Sequence, residues 1–362
     1  MRRDERVGSH LGVEAVGEMP TGADAARPTM RDVAALAGVA LKTVSRVMNG
    51  VPSVDPVLAA RVRAAAAELA YRPNLAANLR SGRTNTVGLL LEDIGNPFSA
   101  ATLRAIEDEL EAAGILLLAA SLDEQPSREE ELTRRLIDRR VDGLIVVPAS
   151  RDQRYLVAEQ LRGTCVVFLD RLPQPLVADA VVSDNRVGAR RGVEHLVRHG
   201  RRRIAYLGDD PAIPTAAERF RGYVDALAGQ GLPVDPALVR HGLRSVQEAH
   251  RAAADLLAGP DGVGVDALFT SQNLVTIGAV GALHAAGRHR EVAQVGFDDI
   301  PFAEALEPGV TVVAQDTRML GRTAAERLLA RIHGDRSAPQ VFSVPSRLLV
   351  RGSGELPVST TP

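Results

Sequence analysis

The chain has 362 residues, 45% of them hydrophobic, with a formal net charge of −2 and a single cysteine. That length allows two or three domains with packed cores, and the charge excludes a uniformly cationic nucleic-acid coat. No apolar run is long enough to span a bilayer, the opening MRRDERVGSHLGVEAVGEMP lacks the apolar stretch of a secretory signal, and the lone Cys165 excludes an intramolecular disulfide.

A reducing cytoplasm is therefore the expected compartment. The charge is unevenly placed. From Thr29 to Arg83 eight Lys/Arg face three Asp/Glu; from Thr84 onward 31 basic residues face 37 acidic ones. A small basic head on an acidic body fits a head that meets nucleic acid and a body that does not. Lysine occurs once, as Lys42, against 42 arginines.

Residues 1–28 combine mixed charge, glycines and two prolines without periodicity and are expected to be a disordered extension. Residues 29–73 form the expected headpiece. In TMRDVAALAGVALKTVSRVMNG, Asp32–Ala37 and Leu41–Met48 read as two short helices. Gly38 supplies the turn position that tolerates positive φ. Val33, Leu36, Val39, Val44 and Val47 are spaced to share one apolar core. The outer face of the second helix then carries Leu41, Lys42, Thr43, Ser45, Arg46 and Asn49, a mixture suited to phosphates and base edges in a major groove. Taken locally, the pattern serves equally as a helical hairpin with a solvated face.

Asp55 and Pro56 open a third helix with a stripe of Leu58, Val62, Ala65, Ala66 and Leu69, ended by Pro73. Residues 74–85 form a linker in which Asn74 caps a helix too short to be stable alone. It is either an ordinary connection or a segment that folds on contact with DNA.

From Thr86 the chain alternates strands and helices, from VGLLLE and NPFSAATLRAIEDELEAAG through VAQVGFDD and MLGRTAAERLLARIHG. Such alternation implies parallel sheets covered on both faces. The strand count exceeds what one open sheet holds, so two are expected. The fold class is thus a small all-α helix-turn-helix headpiece plus an α/β core of two doubly wound parallel-sheet lobes over 86–353. The first lobe covers about 86–184 and 317–344, the second about 185–313 and 345–353, and 354–362 form a tail. In such sheets ligands bind at the carboxyl ends of strands. Those ends carry Glu92, Asp93, Asn96 and Phe98; Asp170 and Arg171; Asp184 and Asn185; Gln272 and Asn273; Asp298 and Asp299; Arg219 lies near the same rim. Carboxylates, amides and an arginine fork around an aromatic ring can hold a polyhydroxylated or heterocyclic ligand. Asp170, Asp184 and Asp298 could equally cap loops or helices.

Chemistry is otherwise absent from the pattern. There is no phosphate-cradling Gly-rich loop after the first strand, no His/Cys ligand cluster and no nucleophile elbow. His195 and His199 share a helix face with no further ligand nearby in sequence. No catalytic residue, metal or cofactor is expected. Two rival readings are a soluble sugar-binding protein and an enzyme on a doubly wound fold; the basic head argues against the first, the missing motifs against the second.

With head, linker and body in view, the chain resembles the LacI/GalR family of bacterial transcription factors from about Thr29 to Ser353. The ordered segments that carry the resemblance include MRDVAALAGVALKTVSRVMNG, ELAYRPN, SGRTNTVGLL, NPFSA, FLDR, ERFRGY, VGFDDIPFAEALEPGVT and LLVRGS. The resemblance implies a DNA headpiece, a hinge helix, a periplasmic-binding-protein-like core and a homodimer, with a tetramer as the larger option, on a pseudo-palindromic operator. It implies a repressor in the cytoplasm, at the nucleoid, controlled by a small-molecule effector, a carbohydrate first and a nucleobase or nucleoside second. Leu41, Lys42 and Arg46 fall where the family reads bases. Thr29, Thr43, Ser45 and Asn49 fall at backbone-contacting or packing positions, and Asn74, Ala77 and Leu79 in the hinge. Arg219 and Asp298 fall at effector positions, with Phe98, Asp170 and Gln272 lining the same cleft. Two departures stand out. The family's minor-groove leucine comes six residues after the capping Asn, where this chain has Arg80, with Leu79 one residue early. One residue shifts a helical side chain by roughly 100°. Gln272-Asn273 stands where many relatives have Asn-Asp.

Overall fold

The computed structural model describes residues 28–48, 53–71, 83–259 and 264–358. The expectations for residues 1–27, Asn49, the hinge positions Asn74, Ala77 and Leu79, and the last four residues lie outside these. The chain divides between Ser81 and Gly82 into two compact units.

The first unit holds α1 (Met30–Ala37), α2 (Leu41–Met48) and α3 (Pro56–Glu68). Helix α1 starts two residues before the predicted Asp32 because Asp32 serves as the third helical residue of a capping box. The Thr29 backbone N–H and hydroxyl each donate to Asp32 Oδ2 at 2.7 Å. Gly38 ends α1 at φ +62°, as its position in the sequence predicts. The Arg61 guanidinium donates to the Ala37 carbonyl at 2.6 Å and so ties α3 to the end of α1. Asp55 caps α3 by accepting from the backbone of Val57 and Leu58. Val33, Ala37, Val44, Val47, Ala59, Val62, Ala65, Ala66 and Tyr71 make the core. Leu36, expected inside, is 46% exposed. It lies roughly 80° around the helix from the midpoint of Val33 and Ala37, at the edge of a stripe only one residue wide.

The second unit contains two six-stranded sheets. The first comprises β1 (Thr86–Leu91), β2 (Leu116–Ser121), β3 (Gly143–Val146), β4 (Cys165–Leu169), β5 (Asp179–Ser183) and β11 (Val341–Val344), in the order β11-β5-β4-β3-β1-β2. The second comprises β6 (Ile204–Leu207), β7 (Val239–Arg240), β8 (Ala267–Thr270), β9 (Ala293–Phe297), β10 (Thr311–Ala314) and β12 (Arg347–Leu349), in the order β12-β10-β9-β8-β6-β7. The two orders are the same element for element, so each position in one lobe has a counterpart in the other. Among the described residues every strand pairing is parallel except β10 with β12. The two doubly wound lobes expected from the alternation are therefore present.

Helices α4 (Pro97–Ala112), α5 (Pro126–Asp138) and α6 (Val157–Leu161) follow strands of the first sheet. Helices α7 (Asn185–Arg198), α8 (Pro214–Ala228), α9 (Val246–Ala258) and α10 (Asn273–Ala285) belong to the second lobe, and α11 (Thr317–Ile332) returns to the first. There Leu320, Ala324, Ala325 and Leu328 of α11 join Ile106 and Leu110 of α4 over β1 and β4. Strands β7, β10, β11 and β12 were not read from the sequence. Strands β7 and β12 are two and three residues long and Val341 of β11 at the sheet edge is 59% exposed, so neither length nor apolar pattern marks these three; β10, with Val312 and Val313 buried, carries the same short apolar run as β3 and β8. Residues 354–358 are held to the second lobe. The Glu355 carboxylate pairs with His195 Nε2 and accepts from the Thr311 hydroxyl, and Arg201 donates to the Leu356 carbonyl at 2.6 Å.

Candidate functional site

The matched sheets place matched residues at their carboxyl ends. Asp170 follows β4 and Asp298 follows β9. Both adopt the left-handed conformation, at φ +64° and +67°, and donate their backbone N–H to the neighbouring strand, to Val181 and Val313 respectively. Both side chains line a cleft between the lobes. Glu92, Asn96, Phe98 and Arg171 join Asp170 from the first lobe; Asp209, Arg219, Gln272 and Asn273 join Asp298 from the second. The five residues singled out from sequence, Phe98, Asp170, Arg219, Gln272 and Asp298, are thus brought together.

Arg219, on the second turn of α8, is held from several sides. Its Nε donates to Asn185 Oδ1 at 2.7 Å and its Nη1 to the Ser271 carbonyl at 2.8 Å. The same Nη1 lies 3.4 Å from Asp298 Oδ2, and the guanidinium carbon sits 4.0 Å above the Phe297 ring. Gln315 donates to the other Asp298 oxygen at 2.6 Å. The pair is buried and its geometry fixed by main-chain and amide contacts, which presets a donor fork beside an acceptor. Gln272 donates to the Leu243 carbonyl at 3.1 Å. Half-buried Phe98 packs on the first lobe's core while forming part of the cleft wall.

The opposite wall is centred on Arg171, which donates to both Glu124 oxygens and to the Pro148 carbonyl. Glu92 and Asp170 each place a carboxylate oxygen 3.7 Å from the same guanidinium. Asp170 Oδ1 is buried without a hydrogen-bond partner. Burial, with the neighbouring Glu124 charge, pushes the Glu92 carboxyl up to about 7 against the pull of Arg171. Burial also raises the Asp170 and Asp209 carboxyls. Glu124 and Asp209 were missed from sequence. Asp209 ends the RIAYLGD strand segment and had the same positional signal as Glu92; Glu124 lies in a loop after β2 and carried none.

Other residues at the strand ends serve the architecture. Asp184 accepts from the Ser346 backbone where the chain crosses between lobes, Asp299 pairs with Arg351, and Asn185 holds Arg219. His195 faces Glu355, and its ring lies 4.4 Å from that of His199.

On the headpiece, Leu41, Lys42 and Arg46 are exposed along α2, Thr43 and Ser45 are half-buried, and Val44 and Val47 point inward. Arg46 donates to the Ser53 hydroxyl at 2.7 Å. Thr29 is exposed at the start of α1, engaged in the capping box. The outer face of α2 therefore carries two cations and an apolar side chain, over a core formed by its other face.

A charge-lined cleft between two like lobes, on a chain that opens with a basic three-helix head, defines a DNA-binding regulator with a ligand-binding core. Residues 29–74 match the bacterial regulatory proteins of the lacI family, and residues 84–351 match the periplasmic binding proteins and sugar binding domain of LacI family. The chain belongs to the LacI family of bacterial transcriptional regulators. It is 34% identical over 340 residues to the HTH-type transcriptional regulator CelR of Thermobifida fusca, covering 91% of this chain and 98% of that one. It is 31% identical over 326 residues to the HTH-type transcriptional regulator GalR of Escherichia coli (strain K12), covering 89% and 94%. Among solved structures, the Lac repressor dimer bound to operator and the anti-inducer ONPF matches with a TM-score of 0.79 at 26% identity, covering 91% of this chain and 99% of that one. The CelR–cellobiose complex matches with a TM-score of 0.66 at 33% identity, covering 90% and 100%.

Proposed function

We propose that the protein is a repressor that binds a pseudo-palindromic operator as a homodimer in the cytoplasm and responds to a carbohydrate effector held in the interlobe cleft. The observation that carries this reading is the fixed Arg219–Asp298 pair facing Asp170 across the cleft. A guanidinium fork and paired carboxylates bracket ring hydroxyls, which present both donors and acceptors. The CelR relative, solved with cellobiose, supports a sugar as the class of ligand. Phe98 supplies an apolar wall for a ring face and Gln272 an amide.

On the DNA side, Leu41, Lys42 and Arg46 meet base edges. Thr29, Thr43, Ser45 and Asn49 set the helix on the backbone, and Asn74, Ala77 and Leu79 approach the minor groove. Two heads enter successive major grooves about one helical turn apart. Effector binding changes operator affinity through the lobe arrangement, a coupling between two sites. The protein binds and releases; it has no catalytic step. The test combines a calorimetric screen of mono- and disaccharides with a gel shift on the protein's own promoter region. A sugar that binds the protein and alters its operator affinity supports the reading. Ligand binding without any DNA binding would return the sugar-binding-protein alternative.

A further inference from the structure

We propose that the cleft selects a positively charged carbohydrate, an amino sugar whose ammonium group sits between Asp170 and Glu92. The inference rests on the carbohydrate reading of the cleft and adds to it the charge of the ligand.

Charge balance in the cleft is the first ground. Its lining contributes four carboxylates, Glu92, Asp170, Asp209 and Asp298, against two guanidiniums, Arg171 and Arg219. Both arginines are already matched inside the protein. Arg219 stands against Asp298, and Arg171 is taken by both oxygens of Glu124, which lies behind the cleft wall. Asp209 has Arg244 at 3.6 Å. Glu92 and Asp170 are left to share, at 3.7 Å each, a guanidinium that Glu124 already neutralises. The second ground is independent of that count. Asp170 is 7% exposed, and its Oδ1 has no hydrogen-bond partner. A buried carboxylate oxygen left unmade is costly, and a donor arriving with the ligand satisfies it. Burial raises the Asp170 and Glu92 carboxyls, and an ammonium entering between them would draw both into the ionised form.

A hydroxyl could donate to Asp170 but would leave the charge uncompensated. An ammonium supplies donors and charge together, beside the buried Asp170 carboxylate where pairing is stronger than in bulk water. A uronate or sugar phosphate would meet the same carboxylates with no free cation to receive it.

Titration calorimetry of the full-length protein at pH 7 distinguishes these cases. The matched probes are glucose, glucosamine and glucuronate, with cellobiose and its diamino counterpart, fully deacetylated chitobiose, as the disaccharide pair. The expected result is tighter binding of the amine than of its neutral partner by roughly tenfold or more, with no uronate binding. In Glu92→Gln and Asp170→Asn that preference shrinks, each variant being compared with itself across the two ligands. Neutral sugars binding as tightly as the amines would overturn the charge inference and leave the carbohydrate reading standing. An amine preference unchanged in both variants would also overturn it. If no sugar of any charge binds, the carbohydrate reading falls and takes this inference with it.

Discussion

Asn96 and Asn273 join their side-chain amides across the cleft. Asn273 Nδ2 donates to Asn96 Oδ1 at 2.8 Å, and the return contact from Asn96 Nδ2 spans 3.4 Å. Each residue also belongs to a helix start. Asn96 caps α4 by accepting from the Phe98 backbone, and Asn273 opens α10 with its Oδ1 on the Leu274 backbone. Both are buried, so the lobes are fastened through two helix N-termini in the wall of the cleft. Asn273→Ala leaves the Asn96 amide without its partner and should cost about 1–2 kcal/mol. The expected outcome is a lower melting temperature by calorimetry together with a changed effector affinity. A loss of stability with no change in ligand binding would separate the clasp from the effector response.

Arg219→Ala should abolish effector binding while operator binding survives, since the headpiece is a separate compact unit. It leaves Asp298 buried beside Gln315 alone and should destabilise the core by about 3 kcal/mol. Arg219→Lys keeps the charge without the fork and should recover stability more than affinity. Calorimetric titration and a gel shift on the same preparations read the two effects apart.

On the headpiece, Arg46→Ala should weaken operator binding by about 1–3 kcal/mol and relax specificity, with effector binding intact. Lys42→Ala should act in the same direction. In the unaltered protein, operator affinity should fall steeply with salt, with a slope that becomes shallower when a phosphate-contacting cation is removed. Affinity indifferent to salt would count against the α2 face as the DNA reader.

Glu92 gives stability a pH dependence of defined sign. Its carboxyl lies at about 7 in the folded protein, against 4.5 for the free side chain. Burial comes first among the causes, then Glu124; Asp170 and Asp209 add to the rise, and Arg171 opposes it. The folded state therefore holds this proton more tightly than the unfolded chain. The associated stability is complete below about 4.5 and is lost as pH rises through about 7. Glu92→Gln should melt like the parent at pH 4 and above it at pH 8. A constant difference across that range would show that Glu92 does not titrate in this way.

The sequence made the headpiece legible because capping and turn chemistry are local. Gly38 at positive φ and Asp55 before Pro56 act within a few residues of where they stand. The lobes were legible because parallel strands are buried on both faces and stand out as apolar runs. Phe98, Asp170, Arg219, Gln272 and Asp298 could be placed on one rim because strand ends define it. What a rim residue does was less readable. Asp184 and Asp298 look alike in sequence, yet one ties a crossover and the other holds Arg219, a difference set by partners far along the chain. Glu124 had no signal because its meaning comes wholly from Arg171, 47 residues away. Short edge strands such as β12 are defined by pairing to β10, which no local pattern reports.

The left-handed backbone at Asp170 and Asp298 restricts how this cleft can diverge. At φ +64° and +67° glycine, asparagine and aspartate settle with the least strain. Most other substitutions at either site would add backbone strain of roughly 1–2 kcal/mol to any change in the contacts they make. Lineages descending from such a protein are steered to change recognition through Glu92, Phe98 and Gln272, whose backbones accept ordinary side chains. The two aspartates would then persist as fixed points while the residues between them turn over.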